Sequence, residues 1–79
     1  MVIKVIGSGC RNCKKLLQTT EDAVKELGID AEILYVTDMD EIVATGILKT
    51  PGLMIDGEMK ASGRVPKAKE VVQMIKEAQ

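Results

Sequence analysis

Two cysteines separated by two residues, in Cys10-Arg-Asn-Cys13, are the only cysteines of this chain. They follow an apolar, strand-like run, Val2–Ile6, and precede a run whose apolar residues have helical spacing. Because an α-helix has 3.6 residues per turn, positions i and i+3 share one face, and the two sulfurs can meet at a helix start. There they can close a disulfide or open to a reactive dithiol. A C-x-x-C motif near a strand–helix–strand pattern is typical of redox chemistry.

Length and composition exclude several functional classes. A chain of 79 residues is expected to form one domain, residues 1–79, with a small core. The net charge is −1 and Tyr35 is the only aromatic residue, which disfavours nucleic-acid steering, base stacking and attraction to an anionic membrane. No apolar run approaches the ~20 residues of a membrane span, and no targeting segment is visible. A cytoplasmic location is therefore expected.

The hydrophobic pattern predicts an α/β fold with the element order strand, helix, strand, helix, strand, strand, helix. The predicted strands are Val2–Ile6, Glu32–Thr37, a third that starts at Pro51, and Glu58–Ser62. The predicted helices are Cys10–Leu27, one that begins at Asp38, and one that runs from Pro66 to the C-terminus. The first strand–helix–strand unit requires a parallel pair, and the late hairpin adds an antiparallel edge. A mixed four-stranded sheet with helices on both faces is expected.

Turn and cap residues support these boundaries. Asp56-Gly57 is a strong signal for a two-residue hairpin. Gly28 is a natural helix stop, and Asp38-x-x-Glu41 resembles a capping box. Pro66 is assigned to the first turn of the last helix, where proline is tolerated. The segment Gly7-Ser-Gly9 is interpreted as a flexible loop.

The residues around the cysteines favour an asymmetric dithiol. Cys10 is expected at the start of the first helix, where unpaired backbone N–H groups stabilise an anion. Arg11, Lys14 and Lys15 add three positive charges there, an unfavourable choice for a helix start unless a thiolate is the intended anion. The first residue of the turn faces solvent, so we hypothesise that Cys10 attacks a substrate disulfide and that Cys13, partly buried one turn in, resolves the intermediate.

Other interpretations of the cysteine pair stay open on the residues alone. The two thiols could be buried core residues, or they could ligate Cu(I) linearly. A closed zinc site usually needs four ligands. The chain has no histidine and no further cysteine, which disfavours such a site in a monomer. Gly7 and Gly9 also match part of a dinucleotide-binding loop, but Asn12 stands at the third glycine position.

Several motifs together resemble a known family. They are Gly9-Cys10-Arg-Asn-Cys13 after the first strand, Thr50-Pro51-Gly52 before the third, the Asp56-Gly57 hairpin, and Ser62-Gly63-Arg64-Val65-Pro66 before the last helix. On these motifs, which cover nearly the whole length, the chain resembles small thioredoxin-fold proteins of glutaredoxin size. It is most similar to the short prokaryotic redox-active disulfide thioredoxins.

The resemblance implies a sheet ordered 2-1-3-4, with Pro51 as a cis-proline beside the disulfide. The backbone of Thr50 would pair with an extended substrate segment, and Gly63 would keep the sheet edge near the site open. Arg11 and Asn12 are further candidate substrate-binding residues.

The implied activity is that of a dithiol–disulfide oxidoreductase that reduces protein disulfides through a mixed disulfide. The Cys10–Cys13 disulfide itself would be the redox group, with no other cofactor and no metal. The expected partners are disulfide-containing proteins and an electron donor of the thioredoxin-reductase type, and a monomer is expected.

The chain departs from the family pattern at several positions. Thioredoxins typically have an aromatic residue before the first cysteine, where Gly9 stands, and a proline inside the motif, which is absent. No acidic residue in Val2–Ile6 matches the buried acid that assists the resolving thiol in larger thioredoxins. Ser62-Gly63-Arg64 matches the glutathione-binding element of glutaredoxins poorly, so glutathione binding is doubtful.

The alternative function is a small carrier of Cu(I) or another soft metal, bound by the same two thiolates. Heavy-metal-associated domains also place C-x-x-C between the first strand and the first helix. Their element order differs, because a hairpin follows the first helix directly and the chain ends on a strand. A third hypothesis is a binding module that has kept the fold without turnover.

Overall fold

The computed structural model describes residues 1–79. In chain order its elements are β1 Val2–Ile6, α1 Arg11–Leu27, β2 Glu32–Val36, α2 Met39–Ala44, β3 Gly52–Ile55, β4 Glu58–Ser62 and α3 Ala68–Ala78. The four strands form one sheet in the order β2-β1-β3-β4. β1 pairs with β2 in parallel and with β3 antiparallel, and β3 pairs with β4 antiparallel. The predicted α/β fold and its sheet order are confirmed.

The larger part of the core lies between the sheet and the helices α1 and α3. Alternate side chains of each central strand point to this face, as the pleat requires, and they meet the apolar stripes of the two helices. Its buried members are Ile3, Val5, Leu16, Ala23, Leu53, Ile55, Ala61, Val71 and Ile75. Each large apolar side chain buried here contributes about 1.5–3 kcal/mol. This face therefore supplies most of the burial that holds α1 on the sheet.

The opposite face of the sheet is covered by the short helix α2. Ile42 of α2 packs against Ile6 and Val36, which lie next to each other at the carboxyl ends of β1 and β2. Both faces of β1 are thus buried at the end that leads into the cysteine motif. No helix of the structure combines the length and the apolar character that crossing a membrane would require.

The hairpin between β3 and β4 is tied to the start of β1. Asp56 and Gly57 both have positive φ, 49° and 86°, as a type I′ turn requires. The Asp56 side chain accepts a hydrogen bond from the Val2 N–H at 2.8 Å, and the Asp56 N–H donates to the Val2 carbonyl at 2.8 Å. The predicted hairpin is confirmed, and its aspartate also fixes the register of β1 against β3.

Several predicted boundaries are corrected by the structure. Pro66 is not in the first turn of α3: it is fully buried, and the extended Lys67 is the N-cap. Packing, rather than helix geometry, thus holds the proline. β2 ends before Thr37, because its pairing with β1 closes with the bond from the Gly7 N–H to the Val36 carbonyl. β3 starts at Gly52, one residue later than predicted.

The ends of the helices follow ordinary capping rules. Gly28 stops α1 with φ 63°, and its N–H bonds the carbonyls of Val24 and Lys25, as predicted. At α2 the Asp38 carboxylate accepts hydrogen bonds from the N–H groups of Asp40 and Glu41. The reciprocal bond from Glu41, which a full capping box would have, is not formed. Asp38 is therefore the side-chain cap of α2.

We expect Asp38→Ala to lower the free energy of unfolding by about 1 kcal/mol, because two N–H groups of α2 lose their acceptor. Asp38→Asn should retain most of the stability, since asparagine is an equally good cap. Urea denaturation of the two variants beside the parent chain measures both effects. Equal losses in the two variants would show that the carboxylate charge, not the cap, is what matters.

Candidate redox site

The two cysteines form a disulfide at the N-terminus of α1, with 5.0 Å between their Cα atoms. Cys10 is the N-cap of the helix, in an extended conformation. Its sulfur accepts a hydrogen bond from the Cys13 N–H at 3.1 Å, the position that a serine or aspartate oxygen usually takes. The pair thus meets at the first helical turn, as the spacing predicted. The Cys10 sulfur also serves as the side-chain acceptor for the helix start.

The two sulfur-bearing residues differ sharply in exposure. Cys10 is exposed, whereas Cys13 is completely buried, with 0% of its surface accessible. Cys13 was predicted to be partly buried, and the structure buries it further. A macromolecular substrate can therefore reach only one end of this disulfide directly.

Gly7 makes the burial of Cys13 feasible. A Cβ atom at Gly7 would overlap the Cys13 sulfur and would lie 2.7 Å from the Cys13 Cβ. Gly7 is buried and does not have a positive φ, so the glycine is required for space rather than for backbone conformation. The interpretation of residues 7–9 as a flexible loop is wrong for this residue. Gly9, in contrast, has φ 90° and open space around it.

Pro51 is brought to the site by the pairing of β1 with β3. The Thr50–Pro51 peptide bond is cis, which confirms the expectation drawn from the family resemblance. Gly52 is paired with Ile6, and extending this antiparallel register by one residue puts Pro51 opposite Gly7. Since Gly7 adjoins Cys13, the buried Pro51 and the disulfide belong to the same end of the sheet.

Gly63 holds the other side of the proline. The Gly63 N–H donates to the Pro51 carbonyl at 2.9 Å, and Gly63 has φ 75°, a conformation that favours glycine. The Ser62 hydroxyl donates to the Lys49 carbonyl at 3.3 Å. Residues 49–51 are therefore fastened to the end of β4.

Thr50 differs from its neighbours, because its backbone N–H and carbonyl make no hydrogen bond within the chain. Thr50 is also exposed. A residue with an accessible, unpaired donor and acceptor at the end of a strand can pair with an added extended segment.

The structure groups the predicted site residues into two neighbouring parts. Cys10, Arg11, Asn12 and Cys13 share the first turn of α1, where Arg11 and Asn12 are exposed. Thr50, Pro51 and Gly63 form the corner where β3 begins and β4 ends. Sequence reasoning missed the role of Gly7. The available signal was a glycine that directly follows a buried strand, which often marks a close approach of another part of the chain.

The structure gives no support to the metal-carrier alternative. No group of three or more His, Cys, Asp or Glu side chains is placed to hold a metal ion, so the two thiolates have no third ligand, and the element order decides the comparison. The chain ends on the helix α3, and α2 separates the hairpin from α1. This element order differs from that of heavy-metal-associated domains. The likeness to those domains is therefore limited to the position of the C-x-x-C motif.

Comparison with known proteins agrees with this geometry. The thioredoxin domain family matches residues 1–76. A thioredoxin of Methanothermobacter thermautotrophicus is 44% identical over 75 residues, which cover 95% of this chain and 97% of that protein. A thioredoxin of Methanocaldococcus jannaschii is 40% identical over 76 residues, 96% of this chain and 87% of that protein. The similarity therefore extends over the whole sheet and both parts of the site.

We expect Gly7→Ala to destabilise the oxidised protein more than the reduced protein. The added methyl group comes too close to the Cys13 Cβ in both redox forms, and in the oxidised form it also overlaps a sulfur that the disulfide holds in place. A free Cys13 thiol can rotate away and relieve the second overlap only. The loss in the oxidised form should be about 1–3 kcal/mol, typical of overpacking. Urea denaturation of the oxidised and the reduced variant measures the difference.

Gly52→Ala is the matched control for this experiment. Gly52 is also buried without a positive φ, but its added Cβ would overlap the tip of the flexible Ile47 side chain. This variant should lower the stability of both redox forms equally. Equal losses for Gly7→Ala in the two forms would contradict the assigned role of Gly7.

Proposed function

The chain belongs to the thioredoxin domain family and is a thiol–disulfide oxidoreductase, and we propose the roles of its two cysteines in disulfide exchange from the geometry of the site. Cys10 is the attacking nucleophile and Cys13 is the resolving thiol. The observation that carries this assignment is the difference in exposure: Cys10 is exposed and Cys13 is fully buried. Only Cys10 can meet a substrate disulfide in the near-linear arrangement of three sulfurs that exchange needs.

The proposed cycle moves two electrons to the substrate. The reduced Cys10 thiolate attacks one sulfur of a substrate disulfide, so that a mixed disulfide forms and the other substrate sulfur leaves as a thiolate. Cys13, after losing its proton, attacks the Cys10 sulfur. The Cys10–Cys13 disulfide then forms again, and the second substrate sulfur leaves. The substrate is released as a dithiol and the protein is left oxidised.

The start of α1 favours the thiolate form of Cys10. The Cys13 N–H already points at the Cys10 sulfur at 3.1 Å, and a charged acceptor strengthens such a bond. The partial positive charge of the helix N-terminus acts in the same direction. The first turn contains no acidic side chain, so nothing there opposes the negative charge.

Thr50 and Pro51 are proposed to position the substrate. The free N–H and carbonyl of Thr50 would pair with an extended segment that carries the substrate disulfide, in the manner of an added strand. Pro51 is buried beneath this contact, and Gly63 holds it from the β4 side at 2.9 Å. Arg11 and Asn12, exposed between the cysteines, would contact the same segment from α1.

The cycle needs an electron donor and a supply of oxidised partners. We propose disulfide-containing proteins as substrates and a reductase of the thioredoxin-reductase type as donor. A cytoplasmic location fits this role, because cellular reductants keep dithiols reduced there. The Cys10–Cys13 pair is the electron carrier of the cycle.

Serine variants of the two cysteines should have different phenotypes. Cys10→Ser should reduce insulin disulfides at no more than the uncatalysed rate, because no nucleophile remains at the surface. Cys13→Ser should accumulate a mixed disulfide with its substrate, since the resolving step is lost. Turbidity of reduced insulin and non-reducing mass measurement follow the two outcomes. A mixed disulfide that accumulates in Cys10→Ser instead would reverse the assignment.

A further inference from the structure

Acidic and basic residues are separated along this sequence, and the segments that contain the site residues have basic residues but no acidic ones. Residues 7–20, 42–55 and 59–69 contain no Asp or Glu, although the chain has 12 acidic residues. The Lys and Arg side chains in these three segments are Arg11, Lys14, Lys15, Lys49, Lys60, Arg64, Lys67 and Lys69. Only Lys4, Lys25 and Lys76 lie elsewhere among the 11 basic residues. A nearly neutral protein thus collects its positive charge on the segments that carry the site.

Six of these eight cations form no ion pair, and four of the six lie in the first turns of α1 or adjoin Thr50. Arg11, Lys14 and Lys15 lie in the first turns of α1, and Lys49 adjoins Thr50. All four are exposed, and none is within ion-pair distance of a carboxylate, because the chain has only two ion pairs, Lys60–Glu58 and Arg64–Glu70. We call Arg11, Lys14, Lys15 and Lys49 the cationic rim.

Two of the other basic residues of these segments, Lys60 and Arg64, are compensated within the chain. A hydrogen bond from Lys60 to Glu58 at 2.9 Å lowers the pKa of Glu58 and raises the pKa of Lys60. Arg64 bonds Glu70 at 3.0 Å. These pairs screen their own charges, so the uncompensated positive charges of the three segments are the cationic rim and the exposed Lys67 and Lys69.

Lys49 is held close to the corner that is proposed to bind substrate. Its carbonyl accepts the Ser62 hydroxyl, and its side-chain Cβ is 3.0 Å from where a Cβ of Gly63 would stand. The ammonium group of Lys49 therefore extends from the same short segment as the unpaired backbone of Thr50. A substrate strand paired with Thr50 would pass within reach of this charge.

The opposite flank of the site is acidic. Asp38, Asp40 and Glu41 begin α2, directly after β2, and β2 ends beside β1 in parallel register. The sheet order β2-β1-β3-β4 therefore puts the acids on the β2 side and Lys49 on the β3–β4 side. Negative charge thus lies on the β2 side of the site and positive charge on the β3–β4 side.

We propose that the preferred substrates carry an acidic segment beside their disulfide, which the cationic rim binds on the β3–β4 side of the site. This inference rests on the proposed function, because it concerns the substrate that pairs with Thr50. Opposite charges raise the rate of encounter and fix its orientation. A nucleic acid or an anionic membrane is disfavoured, because either would extend over the acidic start of α2 as well.

Two disulfide peptides test the proposal. They share one sequence and differ only at four positions around the disulfide, which are Glu in the first peptide and Gln in the second. At low salt the reduced protein should reduce the Glu peptide about three- to tenfold faster, measured as kcat/KM, in the range of electrostatic steering. The ratio should approach one in about 1 M NaCl, where the Debye length is about 3 Å.

Charge-neutralised variants locate the effect. Lys15→Gln combined with Lys49→Gln should lower the Glu/Gln rate ratio at least about twofold, because two rim charges are lost. The matched control, Lys25→Gln with Lys76→Gln, removes the same charge from the last turns of α1 and α3. Lys25 is about 21 Å along α1 from Arg11. The control should retain the parent ratio.

Each contrary outcome has a separate meaning. Equal rates for the two peptides at low salt, or equal changes in the two double variants, would overturn the acidic-substrate proposal and leave the oxidoreductase intact. Failure to reduce either peptide would instead contradict the proposed function. Duplex DNA or anionic vesicles that inhibit Gln-peptide reduction, and do so less with the Lys15/Lys49 variant, would assign the rim to another polyanion and overturn the proposal.

Discussion

The absence of a side chain at Gly7 is the constraint on which the site depends. It leaves the space that the Cys13 side chain occupies, and a methyl group there would overlap the sulfur. Both faces of β1 are held by buried contacts. Gly7, which follows β1 directly, is therefore held in place where the first turn of α1 packs against it. The complete burial of Cys13 depends on this close approach.

The sheet then brings Thr50, Pro51 and Gly63, which are distant in sequence, to the end of β1 where the cysteines lie. Pairing of Ile6 with Gly52 carries Pro51 to the end of β1, and the bond from Gly63 to Pro51 closes that corner. Thr50 is left with both of its backbone groups unpaired. The exposed sulfur at the start of α1 and the unpaired backbone of Thr50 are thus placed by different elements of one fold. The proposed exchange with a bound segment needs such preorganisation.

Much of this arrangement could be predicted because its signals are local. Helical spacing brings Cys10 and Cys13 together, Asp56-Gly57 specifies its own turn, and the order of the apolar runs implies the sheet. The cis form of the Thr50–Pro51 bond came from the family resemblance, since the residues themselves do not distinguish cis from trans. The complete burial of Cys13 and the spatial role of Gly7 could not be read from the pattern. Both depend on how closely two elements approach, which is a property of the tertiary packing.

The charge distribution could be predicted only in part from the sequence. Arg11, Lys14 and Lys15 were recognised in the sequence as an unusual choice for a helix start, and the thiolate explained them. The sequence does not indicate a role for Lys49, because residues 49–50 are far from the cysteine motif along the chain. Only the fold shows that α1 and the segment before β3 bring these cations to the same end of the sheet, while the acids that begin α2 follow β2.

Peptide mapping of the mixed disulfide is the most direct test of the central claim that Cys10 attacks and Cys13 resolves. Arg11 lies between the two cysteines, so trypsin separates them onto different peptides. The reduced parent protein would be mixed with a disulfide substrate, quenched with acid within the first turnover, alkylated and digested. The account predicts that the substrate is attached to the peptide ending at Arg11, which contains Cys10. Attachment to the peptide that begins at Asn12, which contains Cys13, would contradict it.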